Sequence, residues 1–271
     1  HAWRVALVSQ KLAATIAPDA RRDVFYAALL HDIGAVGACN HITAYGTMRE
    51  QVEDAHIRSH AQRGAALINW LPGMAAVAQY VASHHEWWDG RGYPDGKTGS
   101  CIPLGALLIG MATTADLVGC FRSASNLQSC IPSLSGLAGS AWPRELWDAF
   151  VGSTEDSEFY RSLISRDSLH AAIGSMVREL GVPDELDGEE GAERLLHLFA
   201  ALVDLKDPST AGHSLRVARR AKALAEFMDL TDQEAHLAYR AGLVHDCGRL
   251  GVSSHLLNKR GRLSDKEMEK I

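Results

Sequence analysis

Two pairs of adjacent residues carry the strongest chemical signal in this chain: His31-Asp32 and His84-His85, each at the end of an apolar helical series. His84 and His85 continue the stripe Met74, Val77, Val81, so both imidazoles fall at the inner end of a buried face. Two adjacent buried imidazoles are costly unless each ring nitrogen has a partner, and a metal ion is the usual partner. His31-Asp32 ends a second apolar series, with Gly34 as the expected C-terminal stop. Neighbouring helical residues point ~100° apart, an arrangement better suited to two metals than to one, with the Asp32 carboxylate able to bridge. Together with His60, these residues form an imidazole and carboxylate set almost free of thiols, which suits iron, manganese or a similar divalent ion. The isolated His41, His170, His197 and His236 carry no such signal and read as ordinary surface or core residues.

Asp89 to Gly96 (Asp-Gly-Arg-Gly-Tyr-Pro-Asp-Gly) must form a loop, given its Gly and Pro content. It follows the double histidine at once, so it is expected on the rim of the same site. There Tyr93 would offer a stacking face for a base, and Arg91 a phosphate or base contact.

The elements that position these residues read as helices. Val5, Val8, Leu12 and Ile16 recur at helical spacing, as do Leu104, Leu107, Leu108 and Met111, and strand alternation is rare. The expectation is an all-α fold with helices near 2–16, 20–33, 48–70, 73–86 and 103–120. Ser123 to Ser140 is Ser/Gly-rich and reads as a loop, 144–180 as helical, and the acidic Gly181 to Glu193 as a linker. The 271 residues are 46% apolar and 22% charged, with a net charge of −6. That composition supports a packed core and disfavours a nucleic-acid-coating surface, which would need clustered Lys and Arg. The five scattered cysteines form no CxxC pair and read as reduced thiols of a cytoplasmic protein. The most apolar stretch, Leu104 to Ala112, is too short to span a bilayer. The chain opens on His1 rather than Met and ends in helical sequence, so both ends read as cut, and a missing leader or anchor says nothing about the full protein.

An internal repeat is visible. His1-Ala-Trp-Arg-Val-Ala matches His213-Ser-Leu-Arg-Val-Ala, and Ala27-Ala-Leu-Leu-His-Asp-Ile-Gly matches Ala241-Gly-Leu-Val-His-Asp-Cys-Gly. The offset grows from 212 to 214 between these blocks, as a longer turn in the second copy would require. Because polar residues match as well as apolar ones, two unrelated amphipathic helices do not explain it.

These motifs resemble the HD-GYP family, a branch of the HD phosphohydrolases. The matching residues are His1, His31-Asp32-Ile33-Gly34, His60, His84-His85-Glu86, Asp89-Gly90-Arg91-Gly92-Tyr93-Pro94 and Ile102-Pro103-Leu104. The resemblance implies an HD-type helical bundle over 1–125, a helical extension and linker over 126–193, and the front part of a second copy over 194–271. It implies hydrolysis of a cyclic dinucleotide, cyclic di-GMP first, by a metal-activated water at two or three divalent metal sites. By the same resemblance His1, His31, Asp32, His60, His84 and His85 match metal ligands, His31 and Asp32 being also the catalytic pair. Tyr93 and Arg122 match positions near the nucleotide.

The chain departs from that pattern at three places. The family lysine after His-Asp-x-Gly is Ala35. The metal-binding aspartate is Thr113, with Asp116 one turn further on as a stand-in carboxylate. The second basic residue after Arg122 is absent, and Ser125 stands near its place. In the second copy His213, His245 and Asp246 match ligands and Arg249 stands at the lysine position, while counterparts of the later histidines would follow Ile271. That copy is expected to form no competent site. Its apolar helix faces would pack on 144–180, pair with a second chain as a homodimer, or stay exposed. Two alternatives stand beside the enzyme: a degenerate regulatory module that binds nucleotide or metal without efficient turnover, and an HD phosphohydrolase of another nucleotide.

Overall fold

The computed structural model describes residues 1–37, 53–206 and 211–269. The described residues are helical, with only two isolated bridges, Asp89 to Thr98 and Ala138 to Trp142. None of the described helices is long and apolar enough to cross a membrane. Cys101, Cys120, Cys130 and Cys247 are free thiols. The chain divides into two compact units, one of residues 1–35 and 42–183, the other of 36–41 and 184–271.

In the first unit the helices are α1 (Ala2–Ile16), α2 (Arg21–Leu30), α3 (His60–Ile68), α4 (Ala75–Ser83) and α5 (Leu104–Leu117). Each forms because its apolar residues recur once per turn and bury together. Val5, Val8 and Leu12 of α1 and Val24, Phe25 and Ala28 of α2 are buried where the two helices pack on each other and on α5. Helix α5 is apolar nearly all round, and accordingly most of its residues between Gly105 and Asp116 are buried, against α1, α2 and α4. The helix expected over 48–70 is represented by one turn, Ala55–Arg58, and then α3; residues 48–52 lie outside the described residues.

Gly34 is not the left-handed helix stop that the sequence suggests. It lies in a 3-10 turn, Ile33–Ala35, pressed against α3, where a Cβ would sit 2.0 Å from His60 O and 2.4 Å from Gly64 N. Glycine is needed there for close approach of two backbones, not for a positive φ.

The Ser/Gly-rich stretch is not a loop. Helix α6 spans Ala124–Ser135, with Ser123 as N-cap accepting from Asn126 N at 3.2 Å. Leu127 and Leu134, seven residues apart, are buried, and that apolar spacing outweighed the small-residue composition. Three further helices follow: α7 (Arg144–Ser153), α8 (Ser157–Ser162) and α9 (Arg166–Leu180).

In the second unit the stretch expected as a linker already contains the start of α10 (Gly188–Lys206). Its Gly191 packs so closely on Leu186 that a Cβ would lie 2.1 Å from Leu186 O. Helices α11 (His213–Phe227) and α12 (Asp232–Val244) form an antiparallel pair, and Ala218 and Leu243 bury against Ala200 of α10. Thr231 and Glu234 close a capping box at the start of α12.

Candidate metal centre

Helix ends bring the predicted ligands together. His31 follows α2, His84 and His85 follow α4, His60 opens α3, and His1 precedes α1. Each helix end leaves backbone groups without intrahelical partners, and three of the histidines use them. His31 Nδ1 faces Ala28 O at 2.8 Å, His84 Nδ1 faces Val81 O at 2.7 Å, and His60 Nδ1 faces Ile57 O. A carbonyl only accepts, so each Nδ1 carries a proton, and in the neutral ring the lone pair on Nε2 points inward.

Two donor groups result, each with its ligand atoms within 4.8 Å of one another: His60, His84 and His85, and His1, His31 and Asp32. Asp32 lies between them. Its Oδ1 is 3.4 Å from His60 Nε2, and its Oδ2 is 3.2 Å from His31 Nε2 and 3.8 Å from His1 Nε2. The first group is packed with lone pairs, since His60 Nε2 lies 3.3 Å from both His84 Nε2 and His85 Nε2. His31 Nε2 is buried, and the Asp32 oxygen 3.2 Å from it lies outside hydrogen-bonding geometry. Converging lone pairs and an orphaned buried nitrogen are what a divalent cation would satisfy, so the donor set fits one.

The electrostatics agree. Burial, with neighbouring imidazoles adding to it, pushes His84 and His85 well below the usual imidazole value, which keeps both neutral. Burial alone would raise the Asp32 carboxyl, but His31 and His60 beside it hold it well below the usual carboxylate range. Neutral imidazoles and an ionised carboxylate are the forms that bind metal.

Two side chains, Tyr93 and Asp116, behave differently from expectation. Tyr93 does not offer a face to a base at the rim. It is 3% exposed, and its ring already stacks on His85, with centroids 4.5 Å apart and planes 14° apart. The loop turns inward because Gly92 lets it touch the chain after α4, where a Cβ would meet Trp87 N at 2.2 Å. Asp116 turns its oxygens toward α1: Oδ2 accepts from His1 Nδ1 at 2.7 Å and from Arg4 Nη2 at 3.2 Å, and Oδ1 accepts from Arg4 Nε. It therefore holds His1 from behind. Thr113, one turn earlier, is 6% exposed, and its hydroxyl has no hydrogen-bond partner.

Arg91 lies on the outer surface of the loop, paired with Asp89 at 2.6 Å and placed over the Trp87 ring. Arg122 is exposed just beyond the end of α5. Sequence reasoning gave no role to Arg4 or Glu86. The sequence marks of these two residues are the Arg-Val block shared by both copies and the Glu that follows His84-His85. Elsewhere His170 lies against Trp3, His197 bonds Tyr239, and His236 pairs with Glu193; His41 lies outside the described residues.

The second unit repeats part of this design. His245 Nδ1 faces Gly242 O at 2.9 Å, as His31 faces Ala28, and His213, His245 and Asp246 converge within 4.8 Å. This group is more open: the His245 side chain is 34% exposed, and Arg249 Nε sits 3.1 Å from Asp246.

Comparison with known proteins follows the same division. Models described as HD domain match residues 3–148 and 210–271. The 3'3'-cGAMP-specific phosphodiesterase 3 of Vibrio cholerae is 29% identical over 215 residues, which cover 79% of this chain and 45% of that protein. A cyclic di-GMP phosphodiesterase of Thermotoga maritima is 27% identical over 154 residues, covering 55% of this chain and 42% of the relative. The chain thus spans about half the length of these relatives. A crystal structure of a cyclic GMP-AMP specific phosphodiesterase from V. cholerae shares the fold with a TM-score of 0.71 at 24% identity, over 98% of this chain and 70% of that one. With the His-Asp, His-His-Glu and Gly-Tyr-Pro residues in place and two HD matches in tandem, this chain belongs to the HD domain family as an HD-GYP-like member.

Proposed function

We propose that the first unit is a metal-dependent phosphodiesterase that opens a cyclic dinucleotide to its linear form. The observation that carries this reading is the pair of donor groups sharing Asp32, one oxygen toward each. His60, His84 and His85 would hold one divalent ion and His1 and His31 a second, with the Asp32 carboxylate available to both groups. Iron or manganese suits these ligands. When bound, such ions polarise a phosphoryl oxygen and lower the pKa of water enough to supply a nucleophile near neutral pH. The chain's own part is to fix the donor atoms. Backbone carbonyls set the tautomers of His31, His60 and His84, and Asp116 orients His1. Arg122 and Arg91 are the basic groups proposed to meet the nucleotide from the surface.

The substrate class rests on the relatives, whose names specify cyclic di-GMP and 3'3'-cGAMP. Side-by-side turnover of these two compounds and a linear dinucleotide, with manganese(II) or anaerobic iron(II), tests the reading. Cleavage of a cyclic dinucleotide that EDTA abolishes is the expected result. Binding without turnover would instead favour the regulatory module, the reading supported by the absence of a carboxylate at Thr113 and of a lysine at Ala35.

A further inference from the structure

His85 is held differently from its neighbours. His31, His60 and His84 each lean on a backbone carbonyl through Nδ1, whereas among the described residues His85 has no such partner. Its ring is located instead by Tyr93, stacked on it at 4.5 Å, while Tyr93 N donates to His85 O at 3.1 Å. Tyr93 belongs to the 89–98 loop, and the closure of that loop runs through Glu86. This carboxylate is 3% exposed, and each oxygen accepts one peptide N–H: Asp95 N to Oε1 at 2.7 Å and Lys97 N to Oε2 at 2.9 Å. Among the described residues Glu86 forms no ion pair, and Lys97 Nζ lies on Asp95 at 2.9 Å and Ser83 at 3.1 Å. A buried carboxylate spent on two backbone donors is a costly way to close a loop. It is the residue after His85, so the clasp and the ligand are fixed to one another along the chain.

We propose that Glu86 is a positioning residue for His85, acting through the 95–97 backbone and the Tyr93 ring to hold the imidazole aimed at the His60–His84–His85 centre. The inference deepens the metal-centre reading above and rests on it. Outer groups that orient a ligand typically change metal affinity 10–100-fold when removed.

The test uses the full chain titrated with cobalt(II) in a competing chelator, read by its visible absorption bands, with far-ultraviolet circular dichroism as the check on folding. Glu86→Gln keeps the shape but can no longer accept from both peptides. Tyr93→Leu removes the stacked ring, and Tyr93→Phe retains it. The expected result is cobalt affinity about 10-fold or more weaker in Glu86→Gln and Tyr93→Leu, with altered bands and an unchanged dichroism spectrum, while Tyr93→Phe stays close to wild type. Wild-type affinity and bands in both Glu86→Gln and Tyr93→Leu overturn the role of Glu86 and leave the centre itself standing. Should Glu86→Gln not fold, Tyr93→Leu alone decides, since it breaks the same chain one link later. Failure of the wild-type chain to bind cobalt(II) overturns the metal-centre reading and this inference together.

Discussion

The imidazoles His31 and His84 perform two tasks with one ring, closing a helix C-terminus on one side and presenting a lone pair on the other. Replacing His84 and His85 together by Ala should abolish binding at the inner centre. A ligand at 100 times its dissociation constant stabilises the native state by about 2.7 kcal/mol, so the manganese-induced rise in melting temperature should shrink sharply in that variant. Thermal melts with and without metal check this, and an unchanged metal response would refute the ligand assignment. Thr113→Asp carries two opposite expectations. Without metal, a second buried carboxylate one turn from Asp116 should lower stability, because an unpaired buried charge is costly. With metal, it adds a charged ligand, so metal affinity and the metal-induced stabilisation should both rise. Melting curves in EDTA and in manganese(II) separate the two signs.

Histidines at helix ends also contribute to the pH response expected in the absence of metal. His84 and His85 stay neutral in the folded chain below their ordinary value of 6.5, whereas in the unfolded chain they protonate there. The unfolded state then binds more protons, so stability falls as pH drops through about 6.5. His31 acts oppositely. Burial lowers it, but Asp32 raises it above 6.5 overall, so its contribution is present below 6.5 and lost as pH rises. Two losses against one gain predict a net fall in melting temperature between pH 7 and pH 5 in EDTA. The His84→Gln, His85→Gln pair should flatten that slope. Gly34 tests the packing of the elements themselves. A Cβ there lies 2.0 Å from His60 O, so Gly34→Ala should force the 3-10 turn away from α3. Overpacking of this kind costs about 1–3 kcal/mol, and the displaced His31 and His60 should lose metal affinity with it. Gly64→Ala, with its closest contact at 3.2 Å, should be milder, and urea titrations of the two variants check the order.

Across the whole molecule the two HD copies differ in how far their donor groups are withdrawn from water. His60, His84 and His85 are all buried, while the second group is half-open and Arg249 competes for Asp246. Replacing His213 and His245 by Ala should therefore leave metal per chain nearly unchanged by elemental analysis, whereas the His84 and His85 change should lower it. Equal losses from the two pairs would mean that both copies hold metal.

The residue types and their periods were sufficient to place α1, α2, α4 and α5, the repeat and the set of candidate metal ligands. An apolar series once per turn specifies a helix and its buried face, and histidines at the ends of such faces identify themselves without any knowledge of their partners. Tertiary structure decided what those histidines lean on. Asp116 reaches His1 across 115 positions, and Gly34 meets His60 through backbone contact alone, so neither relation leaves a local pattern. Tyr93 illustrates the same limit. An aromatic in a Gly/Pro loop reads as exposed from composition, yet Gly92 and Glu86 fold it inward onto His85. Helix α6 was hidden for a related reason, because two buried leucines and a serine cap outweigh a run of small residues only once there is a core for them to meet. Local periodicity encodes which face is buried; only the folded chain determines which distant atoms that burial brings within hydrogen-bonding range.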